Sequence, residues 1–190
     1  MRIEFPLSTP VNVGLFSPTE YAPGMAASSQ LRHRRPTGLD QPRELVVVCA
    51  PFRSHVNLSI IMRAAGCCGV ERVIACGHAK VDAKVARASV GYVKLERRRS
   101  LAPVMKSLAR DGYWLVALEQ TTTSENLHEF RFPRRCALIV GNERQGLSEE
   151  ALALANATVE IPVWGMPHSY NVATATAMAL YEYCRQFPAG

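Results

Sequence analysis

Short, unbroken apolar runs are what most constrain the fold of this chain. Leu45-Val46-Val47-Val48-Cys49-Ala50, Tyr113 to Leu118 and Cys136 to Val140 are apolar at nearly every position. A strand wetted on one face alternates apolar and polar residues. A strand that is apolar throughout must be covered on both faces, as in a parallel sheet layered between helices. Between the runs the period changes. Ile60, Ile61, Ala64, Ala65 and Cys68 share one face of a helix predicted from His55 to Cys68, closed by Gly69. Arg72 to Cys76 reads as a strand, Val81 to Ser89 as a short helix and Tyr92 to Leu95 as a strand. Leu101 to Arg110 is a helix ended by Asp111-Gly112, Glu119 to Glu129 a polar loop, and Glu149 to Leu154 a short helix. Thr158 to Ile161 is the last strand. An Ala-rich helix follows, with Ser169 in the N-cap position, running to about Gln186 before Pro188 stops it. Strands alternating with helices at this spacing predict an α/β fold with a mainly parallel sheet flanked by helices. Ligands in such folds bind at the C-terminal ends of strands, so the loops that matter begin at Pro51, Gly77, Glu119, Gly141 and Pro162.

Composition narrows the partners. The 190 residues suit one domain with a real core, and 48% hydrophobic with 20% charged residues is ordinary for a globular protein. A net charge of +6 and a pI near 9.2 favour an anionic partner, nucleic acid first. Residues 1–43 lack periodicity and are punctuated by proline and glycine. They read as an extended or partly disordered basic arm carrying Arg32, Arg34 and Arg35, ahead of a domain from 44 to 190. Nothing resembling a signal peptide follows Met1, and no apolar run approaches a membrane span, so the expectation is a cytoplasmic protein with no membrane partner. The six cysteines form no C-x-x-C pair; they are expected to be reduced and structural, with no metal site.

Three stretches carry polar groups where a ligand would bind. Gly141-Asn142-Glu143-Arg144-Gln145-Gly146-Leu147-Ser148 follows a buried strand and nearly spells a phosphate-binding loop. Leu147 stands where the lysine should be, which disfavours a nucleotide triphosphatase. No G-x-G-x-x-G follows the first strand, which disfavours a dinucleotide site. The loop still offers glycines for close backbone approach, a carboxylate in Glu143 and a cation in Arg144. Asn57 lies near the positive end of the first helix, with Arg63 six residues on. Ile161-Pro162-Val163-Trp164-Gly165-Met166-Pro167-His168-Ser169-Tyr170-Asn171-Val172 runs from the last strand through a polar loop into the last helix.

Together, in this order and spacing, these stretches resemble the three motifs of the SpoU/TrmH family of SPOUT-class RNA ribose 2′-O-methyltransferases. The resemblance covers about Leu45 to Gln186. Ser59, Ala64, Tyr170 and Ala173 depart from the residues usual in the family, without removing a polar group assigned to the chemistry. The resemblance implies a SPOUT fold whose C-terminal segment threads a deep trefoil knot, a homodimer with the last helix at the interface, and S-adenosylmethionine as cofactor. It implies that Ile139, Val140, Gly141, Asn142, Glu143, Gly146, Ile161, Pro162, Gly165, Met166, Tyr170, Asn171 and Ala173 hold that cofactor. The catalytic set it implies is Arg63 with Asn57, Glu143, Ser169 and Asn171. Guanidinium stays protonated in proteins, so Arg63 is read as gripping a phosphate and positioning the 2′-hydroxyl rather than as a base.

Arg32, Arg34, Arg35, Arg53, Arg97, Arg98, Arg99, Arg134 and Arg135 are candidate contacts to the RNA backbone. The arm is too short for the additional RNA-binding domain of some relatives that act on ribosomal RNA. By family analogy, transfer RNA is the first expectation, with guanosine as the first target. Ribosomal RNA, a wobble-position target and a non-catalytic RNA-binding protein of the same fold stay open.

Overall fold

The computed structural model describes residues 35–78, 80–165 and 168–190. Arg32, Arg34 and Met166, and most of the arm, lie outside these residues. Gly38–Gly190 forms one compact unit. The arm was expected to reach residue 43, yet Gly38 to Arg43 belong to this unit. The Asp40 N–H donates to the Ala189 carbonyl at 2.8 Å, and Arg43 donates to the carbonyls of Cys68 (2.7 Å) and Phe187 (2.6 Å).

The elements are β1 (Leu45–Cys49), α1 (His55–Cys67), β2 (Arg72–Cys76), α2 (Ala83–Ala86), α3 (Ser89–Tyr92), β3 (Lys94–Arg98), α4 (Leu101–Arg110), β4 (Trp114–Leu118), β5 (Glu125–Asn126), β6 (Cys136–Val140), α5 (Glu149–Leu154), β7 (Ala157–Glu160) and α6 (Val172–Gln186). Among the described residues the strands form one seven-stranded sheet, ordered β3-β2-β1-β6-β4-β7-β5, with every pairing parallel. β1 and β6, buried at every position, sit at its centre.

The strand period of two explains the layering. Leu45, Val47 and Cys49 face one core layer with Leu58, Ile61 and Met62 of α1 and Ala179, Leu180 and Tyr183 of α6. Val46 and Val48 face the other, with Val104, Met105 and Leu108 of α4 and Ala151 of α5. Helices therefore cover both faces, as the unbroken apolar runs require. This is the α/β architecture, a parallel sheet flanked by helices, that the sequence predicts.

The differences from the sequence-based expectation have local causes. The single helix expected over Val81 to Ser89 is two short ones. Arg87 takes φ 54°, a left-handed conformation that ends α2. β3 starts at Lys94, later than expected, and runs on through Glu96, Arg97 and Arg98. It is an edge strand, where charged side chains are tolerated and block further pairing. The loop over Glu119 to Glu129 contains the two-residue β5, paired with β7. β7 begins and ends one residue before the expected Thr158 to Ile161. Ser169 does not cap α6. Asn171 does, its Oδ1 accepting from the N–H groups of Ala173 (2.9 Å) and Thr174 (3.4 Å). Ser59 ties α1 to the segment before α2: its hydroxyl donates to the His55 carbonyl (2.6 Å) and accepts from the Asp82 N–H (2.8 Å).

Candidate functional site

The order of the strands reverses at the centre of the sheet, where β1 leads outward to β2 and β3 on one side while β6 and β4 lie on the other. Loops leaving the C-terminal ends there diverge and leave a crevice. A cavity of about 650 Å³ opens at the ends of β4, β6 and β7, between Leu118, Val140 and Glu160. Its size suits a nucleoside-sized ligand.

The loop after β6 forms one wall. The Asn142 N–H donates to the Gly146 carbonyl (3.0 Å) and the Gly146 N–H donates back to Asn142 (2.9 Å). Asn142 also donates from its side chain to the Pro51 carbonyl at 2.6 Å, which ties this loop to the one after β1. Gly141 and Gly146 are required by the loop itself. A Cβ on Gly141 would lie 2.5 Å from the Gly146 carbonyl carbon. One on Gly146, at φ +63°, would lie 2.4 Å from Glu119 Oε2.

On this frame three distant stretches of chain meet. Asn57, only 9% exposed in the first turn of α1, donates from Nδ2 to Glu143 Oε1 at 3.1 Å. Its Oδ1 accepts from Asn171 Nδ2 at 3.2 Å. Glu143 also accepts from the N–H groups of Ser54 (3.0 Å) and Arg53 (3.2 Å) at the start of α1. Burial pushes the Glu143 carboxyl upward, but the N–H groups of Glu143, Ser54 and Arg53 and the Asn57 amide outweigh it. The net position is below the ordinary carboxylate range. Glu143 is thus an anion that organises donors. The Asn57 amide, donating on one side and accepting on the other, is fixed in orientation.

Of the candidate catalytic residues, the structure brings Asn57, Glu143 and Asn171 together, and Ser169 lines the cavity. Arg63 does not join them. Six residues beyond Asn57, it lies about 120° away around the helix. It is exposed, without a hydrogen bond or ion pair to any other described residue, on a stripe with Val56, Ile60 and Cys67.

Of the candidate cofactor residues, Val140, Gly141, Asn142, Glu143 and Gly146 line the cavity, as do Ile161, Tyr170 and Asn171. Ile139 and Ala173 are buried in the core, whereas Pro162 and Gly165 lie in the adjoining loop outside the lining. Sequence reading missed Glu119, Gln120 and Glu160 in the lining. Glu119 begins a loop already marked by its place after a strand. What the sequence did not show is that its Oε2 accepts from the Leu147 N–H at 2.9 Å.

The arginines divide by position. Arg53 follows β1 and Arg98 ends β3, at the C-terminal side of the sheet with Arg98 at its outer edge, and both are exposed, as is Arg97; Arg98 pairs with Glu96 at 2.7 Å. Arg35 is exposed. Arg134 and Arg135 precede β6, at the opposite end of the sheet. Arg134 donates to the Gly190 carbonyl and lies 5.0 Å from the Phe187 ring centroid. Arg135 pairs with Glu44 at 2.6 Å and covers the Tyr113 ring. These two tie neighbouring segments together at that end of the domain, and both are exposed. The cysteines are free thiols, Cys49, Cys76 and Cys136 among them buried in strands. No group of His, Cys, Asp or Glu among the described residues is placed to hold a metal ion, and no helix among them is long and apolar enough to cross a membrane.

Comparison with known proteins gives this geometry a context. Residues 44–181 match the SpoU rRNA Methylase family. The tRNA (guanosine(18)-2′-O)-methyltransferase of Escherichia coli K12 is 30% identical over 173 residues, covering 90% of this chain and 71% of that one. The crystal structure of the Aquifex aeolicus TrmH/SpoU tRNA modifying enzyme superposes with a TM-score of 0.72 at 29% identity, over 77% of this chain and 76% of that one. The SpoU methyltransferase AviRb of Streptomyces viridochromogenes, solved in complex with AdoMet, gives 0.67 at 30% identity, over 80% and 64%. The cavity fits that cofactor. It has the volume, backbone groups along the loop after β6, and the carboxylates of Glu119 and Glu160 as acceptors for amino and hydroxyl donors. The motifs that meet at Asn57, Glu143 and Asn171 are those by which this chain belongs to the SpoU/TrmH family of SPOUT-class RNA 2′-O-methyltransferases, enzymes that use S-adenosylmethionine.

Proposed function

We propose that this protein methylates the ribose 2′-hydroxyl of a guanosine in transfer RNA, acting as a homodimer. The observation that carries the reading is the hydrogen-bonded chain Glu143–Asn57–Asn171, which joins the three motifs at the edge of the cavity. The curated relative from Escherichia coli, named for guanosine 18 of tRNA, supports the choice of substrate. The proposed compartment is the cytoplasm, in keeping with an RNA substrate.

In this reading the wall from Val140 to Gly146, with Ile161 and Tyr170, holds the cofactor, which when bound supplies a methyl group on a sulfonium. Catalysis is then largely a matter of placing the hydroxyl in line with that carbon. The Asn57 amide and the Ser169 hydroxyl orient the ribose. Arg63 remains a cation and binds the neighbouring phosphate through its planar fork.

In this reading Arg63 reaches a site across an interface between two copies. Val56 and Ile60 on α1, and Met178 and Tyr181 on α6, are exposed, Tyr181 at 73%. α1 and α6 pack side by side, so these stripes form one apolar surface with Arg63 in it. A second copy covering that face brings its Arg63 towards the first copy's cavity.

The test is nucleoside mass spectrometry after incubating the protein and S-adenosylmethionine with unmodified transfer RNA and, separately, ribosomal RNA. New 2′-O-methylguanosine in transfer RNA is the expected product. Product from ribosomal RNA alone overturns the substrate, and no product with either RNA overturns the activity.

A further inference from the structure

Trp164 is 79% exposed, although it sits in the middle of the loop that leads from β7 into the cavity wall. An indole left in water on a binding loop calls for a partner, because its apolar faces are poorly hydrated. Its ring does not line the cofactor cavity, whereas Val163 before it and Ser169 and Tyr170 after it do. One face of the ring is already supported: the His128 imidazole stacks on it with ring centroids 6.1 Å apart and planes 24° apart. His128 is itself exposed, just beyond β5. It is held by its backbone N–H donating to Asn126 Oδ1 at 2.9 Å, next to the buried Leu127. β5 and β7 are paired with Asn126 opposite Glu160, so both rings stand beyond the C-terminal ends of neighbouring strands. The same end of the sheet carries Arg53, His55, His78, Lys80 and Arg98 on the far side of the cavity.

We infer that Trp164, backed by His128, is a stacking platform for a nucleobase of the substrate RNA beside the methylated ribose. Sequence-tolerant recognition of unpaired bases uses such rings, placed next to a cationic track for the backbone. A ring already stacked on one face loses little freedom when a base stacks on the other. The inference rests on the proposed RNA substrate and adds to it a residue that lies outside the motif polar groups.

The test uses the full chain. Trp114 and Trp164 are the only tryptophans, so Trp114→Phe leaves Trp164 as the sole indole, read by excitation selective for tryptophan over the six tyrosines. Adding transfer RNA without cofactor is expected to quench that emission. Trp164→Ala is expected to raise the KM for transfer RNA about tenfold or more while leaving the calorimetric Kd for S-adenosylmethionine unchanged, and Trp164→Phe to restore most of the loss. Unquenched emission with an unchanged KM overturns the inference. So does weakened cofactor binding in Trp164→Ala, which assigns the ring to the cofactor. A changed oligomeric state in that variant also overturns it, since a second copy then covers the ring. Failure of the methyltransferase reading shows separately, as a wild-type protein that binds RNA and quenches but yields no product.

Discussion

Glu143 is where charge, hydrogen bonding and pH meet in this site. Its carboxylate accepts from two backbone N–H groups at the start of α1 and from Asn57. Gln at this position keeps one acceptor but turns an NH₂ towards donors. Glu143→Gln is therefore expected to cost about 1–3 kcal/mol of stability, nearer the lower value because the site is partly open to water. The pH dependence has a definite sign. A carboxyl held below its ordinary 4.5 contributes stability above that pH and loses it as pH falls through the folded value. Glu96, through Arg72, and Glu182, through Arg185, shift the same way and remain in the variant. Urea melts between pH 7 and pH 3 should show the wild-type advantage over Glu143→Gln shrinking below about pH 4.5. An advantage constant with pH would show that the charge is not what matters. The identities of Asn57, Glu143 and Asn171 were legible in the sequence, because motif spacing fixes residue types. Their mutual contacts were not, because they join positions 86 and 114 residues apart.

At the scale of elements, the loop between β6 and α5 carries glycines that the backbone needs, and the loop between β7 and α6 carries one that it does not. Gly146 combines a φ of +63° with a Cβ position 2.4 Å from the Glu119 carboxylate, whereas a Cβ on Gly165 would meet nothing within 4 Å. Gly146→Ala is expected to cost about 1–3 kcal/mol and to weaken S-adenosylmethionine binding by displacing Glu119 from the cavity lining. Gly165→Ala is expected to leave stability within about 0.5 kcal/mol. Thermal melts with calorimetric titration of both variants check the pair; equal effects would refute the distinction. The sequence suggested that these glycines admit a ligand. The structure shows Gly141 and Gly146 admitting other parts of the protein. The buried strands were legible almost to the residue, since an apolar run has no alternative environment. The edges were not: β3 carries charge along its length, and β5 is two residues long. The α6 cap was misplaced by two residues because Ser169 and Asn171 are both good caps by type, and only the fold chooses between them.

At the scale of the whole molecule, the proposed role of Arg63 rests on a second copy, because Arg63 is exposed and does not line the cavity of its own chain. Asn57 and Arg63 share one helix, yet only Asn57 turns into the site. Arg63 shares its exposed stripe with Val56, Ile60 and Cys67, beside Met178 and Tyr181 of α6. In the proposed two-fold dimer the same face covers itself, and each proposed site combines Glu143 of one copy with Arg63 of the other. This has a consequence that no single-copy arrangement shares. Arg63→Ala and Glu143→Ala proteins, each inactive alone, are unfolded together, refolded and assayed. A mixed dimer then has one site in which both residues are intact and one in which both are replaced. Random pairing makes half of the dimers mixed, so about a quarter of wild-type activity is expected to return. If Arg63 served its own chain's site, every site in the mixture would lack one residue and activity would stay at the level of the separate variants. Replacing Tyr181 with Glu in both chains is expected to abolish the recovery by placing charge in the covered face, and sedimentation would show that protein as monomer. Recovery without a dimer, or a dimer without recovery, would each refute the shared site.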